Sequence, residues 1–415
     1  MKLRLNKTVA AVASSALLLM AVPAVGIASA SGAASKPTYT IAFQGILSGG
    51  SSALGINELN GVKLAVKDWN SVKTHKFNIN LITGDDQGDP TVAPSIATQI
   101  ASNNKVIAVV GPSYSGATVA SLPIYGPAKI AVISPSATRV SLTLPDPTAT
   151  PPVTKSTNSQ YGNVFFRVVA NDGVQGPADG NYLAKTLKKT NIYVINDASS
   201  YGAGLATQVA QQAKSDGATV TTATLPSTTA CGNGGTGTND QITIPSGTQA
   251  VFYGGYYCDF AKMTDVVRTA GYKGILMSGD GSEDPHYMSD LSNLNDGKGT
   301  LLTCACAQVS NSNIAGKAFN TQYLKAFKTD PGAYSPESFD AANMIFTAMT
   351  KVMKVTRSSV LAELHKLTYK GLTKVIKFNS AGDVSSNNVY VYTVQVTNGA
   401  NGFSATIKQT GSTRP

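Results

Sequence analysis

Charge is scarce in this chain. Asp, Glu, Lys and Arg together make up 13% of its 415 residues, and there are only three histidines (His75, His286, His365), one tryptophan and four cysteines. The lysines are scattered, with no basic block and no aromatic interleaving, which argues against a nucleic-acid binder. The balance of +10 then reads as a solvated surface, not a polyanion cradle. Neither a G-x-S-x-G elbow nor an H-E-x-x-H pair occurs, and no histidine falls at a predicted strand end. A secreted hydrolase is therefore the weaker reading, and no enzyme activity is expected. The glycine-rich stretch Ala230–Asp240 lacks the Lys-Ser/Thr ending of a phosphate loop and does not join a strand to a helix. No cofactor is expected. Beyond the first 30 residues no apolar run approaches the roughly 20 residues that span a bilayer.

The first 30 residues have their own pattern. Lys2, Arg4 and Lys7 precede an apolar run, Val9–Val25, and Ala28-Ser29-Ala30 follows. These are the three parts of a secretory signal peptide. Cleavage near Ala30 would remove three basic and no acidic residues, lowering the net charge from +10 to +7. The mature chain is expected outside the cytoplasm, and with no cysteine near the cut it carries no lipid. Its length predicts two lobes, each with its own core.

An oxidising compartment and an even cysteine count suggest up to two disulfides among Cys231, Cys258, Cys304 and Cys306, with three pairings open. Cys304 and Cys306 fall on one predicted strand and so share a face. A bridge between them would be strained, so each is expected to reach elsewhere. No metal site is expected, because no histidine lies close in sequence to a cysteine.

Apolar runs ending in polar turns alternate with helical spacing along the whole chain. Val106–Val110 and Ile130–Ile133 are predicted strands. The first ends in Gly111-Pro112-Ser113-Tyr114-Ser115-Gly116 and the second in Ser134-Pro135-Ser136-Ala137-Thr138, with a short helix, Ala117–Gly126, between them. A second run has strands at Ile192–Ile195, Ala250–Tyr253 and Ile275–Ser278. The chain is expected to close with an antiparallel pair, Lys374–Phe378 and Val389–Val396, around a turn at Ser380–Asp383. The fold class is α/β, with parallel sheets flanked by helices.

Ligands of open parallel sheets sit outside the carboxyl ends of the strands. Those ends carry Ser115, Ser136 and Thr138 in the first half, with Ser113 in the same turn as Ser115. In the second half they carry Tyr201, Tyr256 and Asp280. Hydroxyls and helix N-termini suit a carboxylate, Asp280 an ammonium, and the tyrosines supply walls. Together that is the chemistry of an α-amino acid headgroup.

Six segments occur in a telling order: Gly111–Thr118 (GPSYSGAT), Ile133–Thr138 (ISPSAT), Asn171–Pro177 (NDGVQGP), Tyr201–Ala206 (YGAGLA), Tyr253–Tyr256 (YGGY) and Gly279–Gly281 (GDG). In these the chain resembles the periplasmic branched-chain amino-acid binding proteins, the solute receptors of ABC importers, over nearly all of its mature length. The resemblance implies a type I periplasmic binding fold of two Rossmann-like lobes, 38–170 plus 306–383 and 171–303 plus 384–415. A three-segment hinge near Asn171, near Cys304–Cys306 and after Asp383 would join them. It places the carboxylate-holding serine on Ser115, its second strand-end pair on Ser136 and Thr138, and the cleft tyrosines on Tyr201 and Tyr256. The ammonium-binding acid falls on Asp280, where better-known members have Glu. Leu54 stands where an aromatic often covers the ligand, and Tyr334 is a candidate side-chain wall. The implied partners are an amino-acid ligand and a membrane permease, with the receptor a monomer. A sensing domain for an amide or other small molecule would share this fold.

Overall fold

The all-apolar run Val106–Val110 is buried along its whole length, as expected of a strand covered on both faces. It is β3 of a parallel sheet formed with β1 (Thr38–Gly45), β2 (Asn78–Asp85), β4 (Ala131–Ser134) and β5 (Phe165–Arg167), in the order β2-β1-β3-β4-β5. The computed structural model describes residues 36–225, 242–306, 314–385, 388–399 and 402–415. The expected leader and the glycine-rich Ala230–Asp240 lie outside them.

Helices α1 (Ser52–Ser71), α2 (Ala93–Ser102) and α3 (Ser115–Tyr125) alternate with the first strands, and α4 (Thr157–Gln160) is a single turn. One face of this sheet packs on α1 and two later helices, with Val62, Ala65, Ile345 and Leu364 against Ile41 and Val110. The other face packs on α2 and α3 through Ile100, Leu122 and Tyr125.

The second sheet begins with β6 (Asn191–Asn196), after α5 (Asp172–Asn181) and a π-helical turn, Tyr182–Thr186. Helix α6 (Gly202–Ser215), β7 (Thr219–Thr224), β8 (Ala250–Gly254), α7 (Tyr257–Thr269), β9 (Ile275–Ser278), α8 (His286–Ser289) and β10 (Leu301–Cys304) follow. Three helices come next, α9 (Ile314–Phe327), α10 (Ser335–Lys351) and α11 (Arg357–Leu364); α10 and α11 supply residues of the first sheet's core. Strands β11 (Thr368–Lys370) and β12 (Val375–Lys377) pair with each other, and the chain returns to the second sheet as β13 (Val389–Gly399) and β14 (Gly402–Thr413). The second sheet has the order β14-β13-β10-β9-β8-β6-β7. It is parallel from β7 to β10 and antiparallel beyond.

Two expectations are corrected. Lys374–Phe378 and Val389–Val396 do not pair. The turn between them closes with Asn379 N–H donating to the Asp383 carbonyl and a single Phe378–Val384 bridge. Val391, Tyr392 and Val394 then bury in the second sheet, so core burial overrides the local hairpin signal. The second correction concerns the cysteines. Cys304 and Cys306 are bonded to each other. The strand stops at Cys304 and the chain bends through Cys306, so the alternation that argued against the pair no longer applies. Cys258 is also disulfide-bonded, and Cys231 lies outside the described residues.

Where the chain passes between sheets, a buried network ties its segments together. Arg167 Nε donates to Asp383 Oδ1 at 2.5 Å, and its Nη1 donates to the carbonyls of Ala137 and Arg139. Thr143 Oγ1 and Asn171 Nδ2 donate to Asp383 Oδ2.

Candidate functional site

Strand order reverses at two places, between β1 and β3 and between β6 and β8. Each is a topological switch point, where a doubly wound sheet leaves a crevice at its carboxyl edge. The loop after β3 carries Ser113, Tyr114 and Ser115; the loops after β6 and β8 carry Tyr201 and Tyr256, and Asp280 follows β9. The two crevices meet in one cavity, which Ser113, Ser115, Ser136, Tyr201, Tyr256 and Asp280 line. Leu54 and Tyr334 also line it. Thr138 does not. It is buried, its carbonyl accepts the Asp172 N–H, and its hydroxyl lies beside the Asp172 carboxyl.

On the first-sheet side, Ser115 opens α3, whose N-cap residue Tyr114 provides no side-chain cap. The helix therefore presents uncapped first-turn N–H groups and the positive end of its dipole. Ser115 Oγ accepts the Arg139 N–H at 3.2 Å, and Ser136 Oγ donates to the Ser113 carbonyl at 2.7 Å.

On the other side Asp280 is buried between two glycines. Its Oδ1 accepts from the Tyr201 hydroxyl at 2.7 Å, and its Oδ2 accepts from the Tyr334 hydroxyl. Burial raises the Asp280 pKa, and hydrogen bonds from Tyr334, Tyr201 and Gln175 oppose that. The same burial, followed by the Asp280 charge, holds the Tyr201 and Tyr334 phenols well above their usual range, so both remain protonated donors. Gly281 is required as glycine: a Cβ there would lie 2.7 Å from the Tyr201 ring and 2.8 Å from the Gly255 carbonyl. Of the adjacent tyrosines, Tyr256 faces the cavity, while Tyr257 is buried and donates to the Gly50 carbonyl.

Loops of the two sheets touch around the cavity. Tyr114 stacks on Tyr256 with centroids 4.0 Å apart, Asn57 Nδ2 donates to Asp284 Oδ2 at 2.8 Å, and Arg139 donates to Ser200. Tyr334 belongs to this set, because α10 packs on the first sheet while its hydroxyl reaches Asp280.

Two lining residues had not been singled out from sequence. Tyr114 lies within the GPSYSGAT turn, and its aromatic character among small residues was the available signal. Glu58 lies four residues after Leu54 on α1, a spacing that puts both on one helical face. It is fully buried, and burial raises its pKa to about 8.

Among the described residues one acid–cysteine group comes within ligating distance of itself, Glu283 with Cys304 and Cys306. Its two sulfurs are bonded to each other and are not thiolate ligands. Among the same residues no helix is long and apolar enough to cross a membrane.

This geometry has relatives. The family model described as "periplasmic binding protein" matches residues 38–401, and the chain belongs to that family. The leucine-specific-binding protein of Salmonella typhimurium is 28% identical over 351 residues, covering 83% of this chain and 87% of the relative. The leucine-, isoleucine-, valine-, threonine-, and alanine-binding protein of Pseudomonas aeruginosa is 25% identical over 382 residues, covering 90% and 94%. Among solved structures, a leucine binding protein from Thermotoga maritima superposes with a TM-score of 0.76 at 22% identity, covering 91% of this chain and 99% of its own. The last likeness establishes the fold, two α/β sheets of the type I periplasmic binding class.

Proposed function

We propose that this periplasmic binding protein is the extracytoplasmic receptor of an ABC importer and takes a free amino acid into the cavity between its two sheets. The observation that carries the reading is the composition of that cavity. Uncapped N–H groups of α3 with Ser115 and Ser136 form one wall, and the phenol-braced Asp280 forms the other. The ligand carboxylate goes to the first wall and its ammonium to the second. Each hydrogen bond to a charged group contributes about 1.5–3 kcal/mol, so the pair of walls discriminates strongly against neutral ligands. Thr138, one step behind the cavity, supports the loop that carries Ser136. Relatives named for leucine and its neighbours in chemistry favour the amino-acid class.

In this reading the lobes are 38–170 plus 306–383 and 171–303 plus 384–415, hinged near Asn171, near Cys304–Cys306 and after Asp383. The first 30 residues are a signal peptide, and a membrane permease receives the loaded form of a monomeric receptor. Ligand binding moves the hinge only through contacts made in the closed form. Tyr201, Tyr256 and Asp280 are those contacts.

A thermal-shift screen of the amino acids and related amides tests the reading, since a ligand that binds only the folded state raises its apparent stability. At least one amino acid is expected to stabilise the protein, and Asp280→Ala to abolish that response with the fold intact. An unchanged affinity for Asp280→Ala by calorimetry removes Asp280 from the site.

A further inference from the structure

One side of the cavity is closed by a pair of stacked phenols. A wider cleft lies beyond it, rimmed by the exposed Ser48, Gln87 and Ala198. The residues that line both spaces are Tyr114 and Tyr256. Their rings stack with centroids 4.0 Å apart and planes 9° from parallel. Each is partly exposed, as a partition between two spaces should be, whereas Leu54, Tyr201 and Tyr334 on the inner side are buried.

This wall is braced from both sheets. Tyr114 donates its hydroxyl to the Ser51 carbonyl at 3.3 Å, and its ring lies on Gly88, where a Cβ would stand 2.6 Å from Cδ2. Tyr256 leans on the Tyr201 ring, with centroids 5.3 Å apart, and the Tyr201 hydroxyl is itself held between Asp280 and the Gly281 N–H. Swinging either ring aside breaks these contacts. A ligand anchored by its carboxylate at Ser115 and its ammonium at Asp280 must therefore fit its side chain between Leu54, Tyr334 and the stack. Close-packed walls accept extra methylenes only by displacing side chains.

We propose that the Tyr114–Tyr256 stack limits the length of the ligand, with Tyr114 the specificity-determining residue. The preferred ligands are then amino acids with short side chains, such as glycine, alanine, serine and threonine, over leucine, methionine and phenylalanine. The inference rests on the amino-acid reading above and deepens it. Tyr114 follows β3 of the first sheet and Tyr256 follows β8 of the second, so the wall is complete only when the two crevices face each other. A side chain too long for the space keeps the two rings apart and so opposes closure. Without the Tyr114 ring the inner cavity runs into the outer cleft, and a longer side chain has room to extend.

The test is titration calorimetry on the full mature chain with alanine, serine, leucine and phenylalanine, for the wild type, Tyr114→Ala and Tyr114→Phe. The wild type is expected to bind alanine or serine at least about tenfold more tightly than leucine or phenylalanine. In Tyr114→Ala the ratio of leucine to alanine affinity should rise at least about tenfold. Tyr114→Phe keeps the ring and should move that ratio less. Should Tyr114→Ala fail to fold, Tyr114→Leu carries the comparison, with a smaller rise. Tightest binding of leucine or phenylalanine by the wild type overturns the inference, as does a Tyr114→Ala protein whose affinities all fall by the same factor. If Asp280→Ala abolishes amino-acid binding while the Tyr114 variants leave every ratio unaltered, the headgroup reading stands and the role of Tyr114 falls. If no amino acid binds the wild type, both fall together.

Discussion

Replacing Asp172 by Asn should change how the stability of this protein depends on pH. Asp172 sits at the start of α5, fully buried, and neither carboxyl oxygen has a hydrogen-bond partner among the described residues. Burial, then the negative charge of Asp280, raises its pKa from 3.8 to about 8, against the opposing pull of Thr138, Arg167 and Arg139. In the unfolded chain the same carboxyl ionises near 3.8. The folded form thus holds a proton that the unfolded form has lost over the interval between those values. Stability from this group is complete below pH 3.8 and drains away as pH rises toward 8. One proton is worth about 1.4 kcal/mol per pH unit, so about 2.7 kcal/mol is lost between about pH 5 and about pH 7. Asn keeps the volume without the proton, so Asp172→Asn should gain about that much on the wild type over the same interval. Urea unfolding of both proteins, followed by the emission of the single tryptophan, Trp69, measures the gap. Trp69 stacks on His75 and Phe77 and so reports on the first sheet's core. Parallel stability curves for the two proteins would mean that Asp172 is ionised in the fold, and the argument from burial would be refuted.

Two further outcomes follow from the packing. Gly281→Ala puts a methyl group against the Tyr201 ring and the Gly255 carbonyl, and a carbonyl in the backbone cannot yield. Asp280 and Tyr201 must shift, so amino-acid affinity should fall at least about tenfold with little change in melting temperature; unaltered affinity by calorimetry rejects this. Asp383→Ala leaves the Arg167 guanidinium buried without its carboxylate, which should cost about 3–5 kcal/mol by chemical denaturation. A loss below about 1 kcal/mol would show that the ion pair adds nothing at this crossing.

How far the sequence reaches is clearest in particular residues. Strands β3 and β9 run over the residues expected of them, because each is a short apolar run bounded by turn residues. The strand-end rule then located Ser115, Ser136, Tyr201, Tyr256 and Asp280 without any knowledge of which strands are neighbours, and the structure gathers all five around one cavity. What failed was decided at long range. Strand β14 is a largely exposed edge strand whose signal is its pairing with β13, which no local window contains. The Cys304–Cys306 bond depended on where β10 stops, and strand ends are the least legible feature of a periodic pattern. Glu58 was hidden because an acid beside Leu59 and Val62 reads as the solvent edge of an amphipathic helix. Its burial comes from the Ser113 loop, which lies 55 residues further on.

Asp280 shows why both crevices are needed. Tyr334 adopts a left-handed backbone conformation, φ 64°, at the N-cap of α10, an arrangement that side chains other than glycine take only when their surroundings enforce it. Here it lets a helix packed on the first sheet aim a phenol at an acid of the second. With Tyr201 on the other oxygen, the carboxyl is held from both sides before any ligand arrives. In the proposed reading an ammonium would meet a group with little orientational freedom left to lose. The ligand-independent contacts around the cavity act in the same direction. The Tyr114–Tyr256 stack, the Asn57–Asp284 bond and the Arg139–Ser200 bond all favour the arrangement in which the two crevices face each other. The larger the fraction of molecules already in that arrangement, the smaller the part of the ligand's own binding energy consumed in assembling the site.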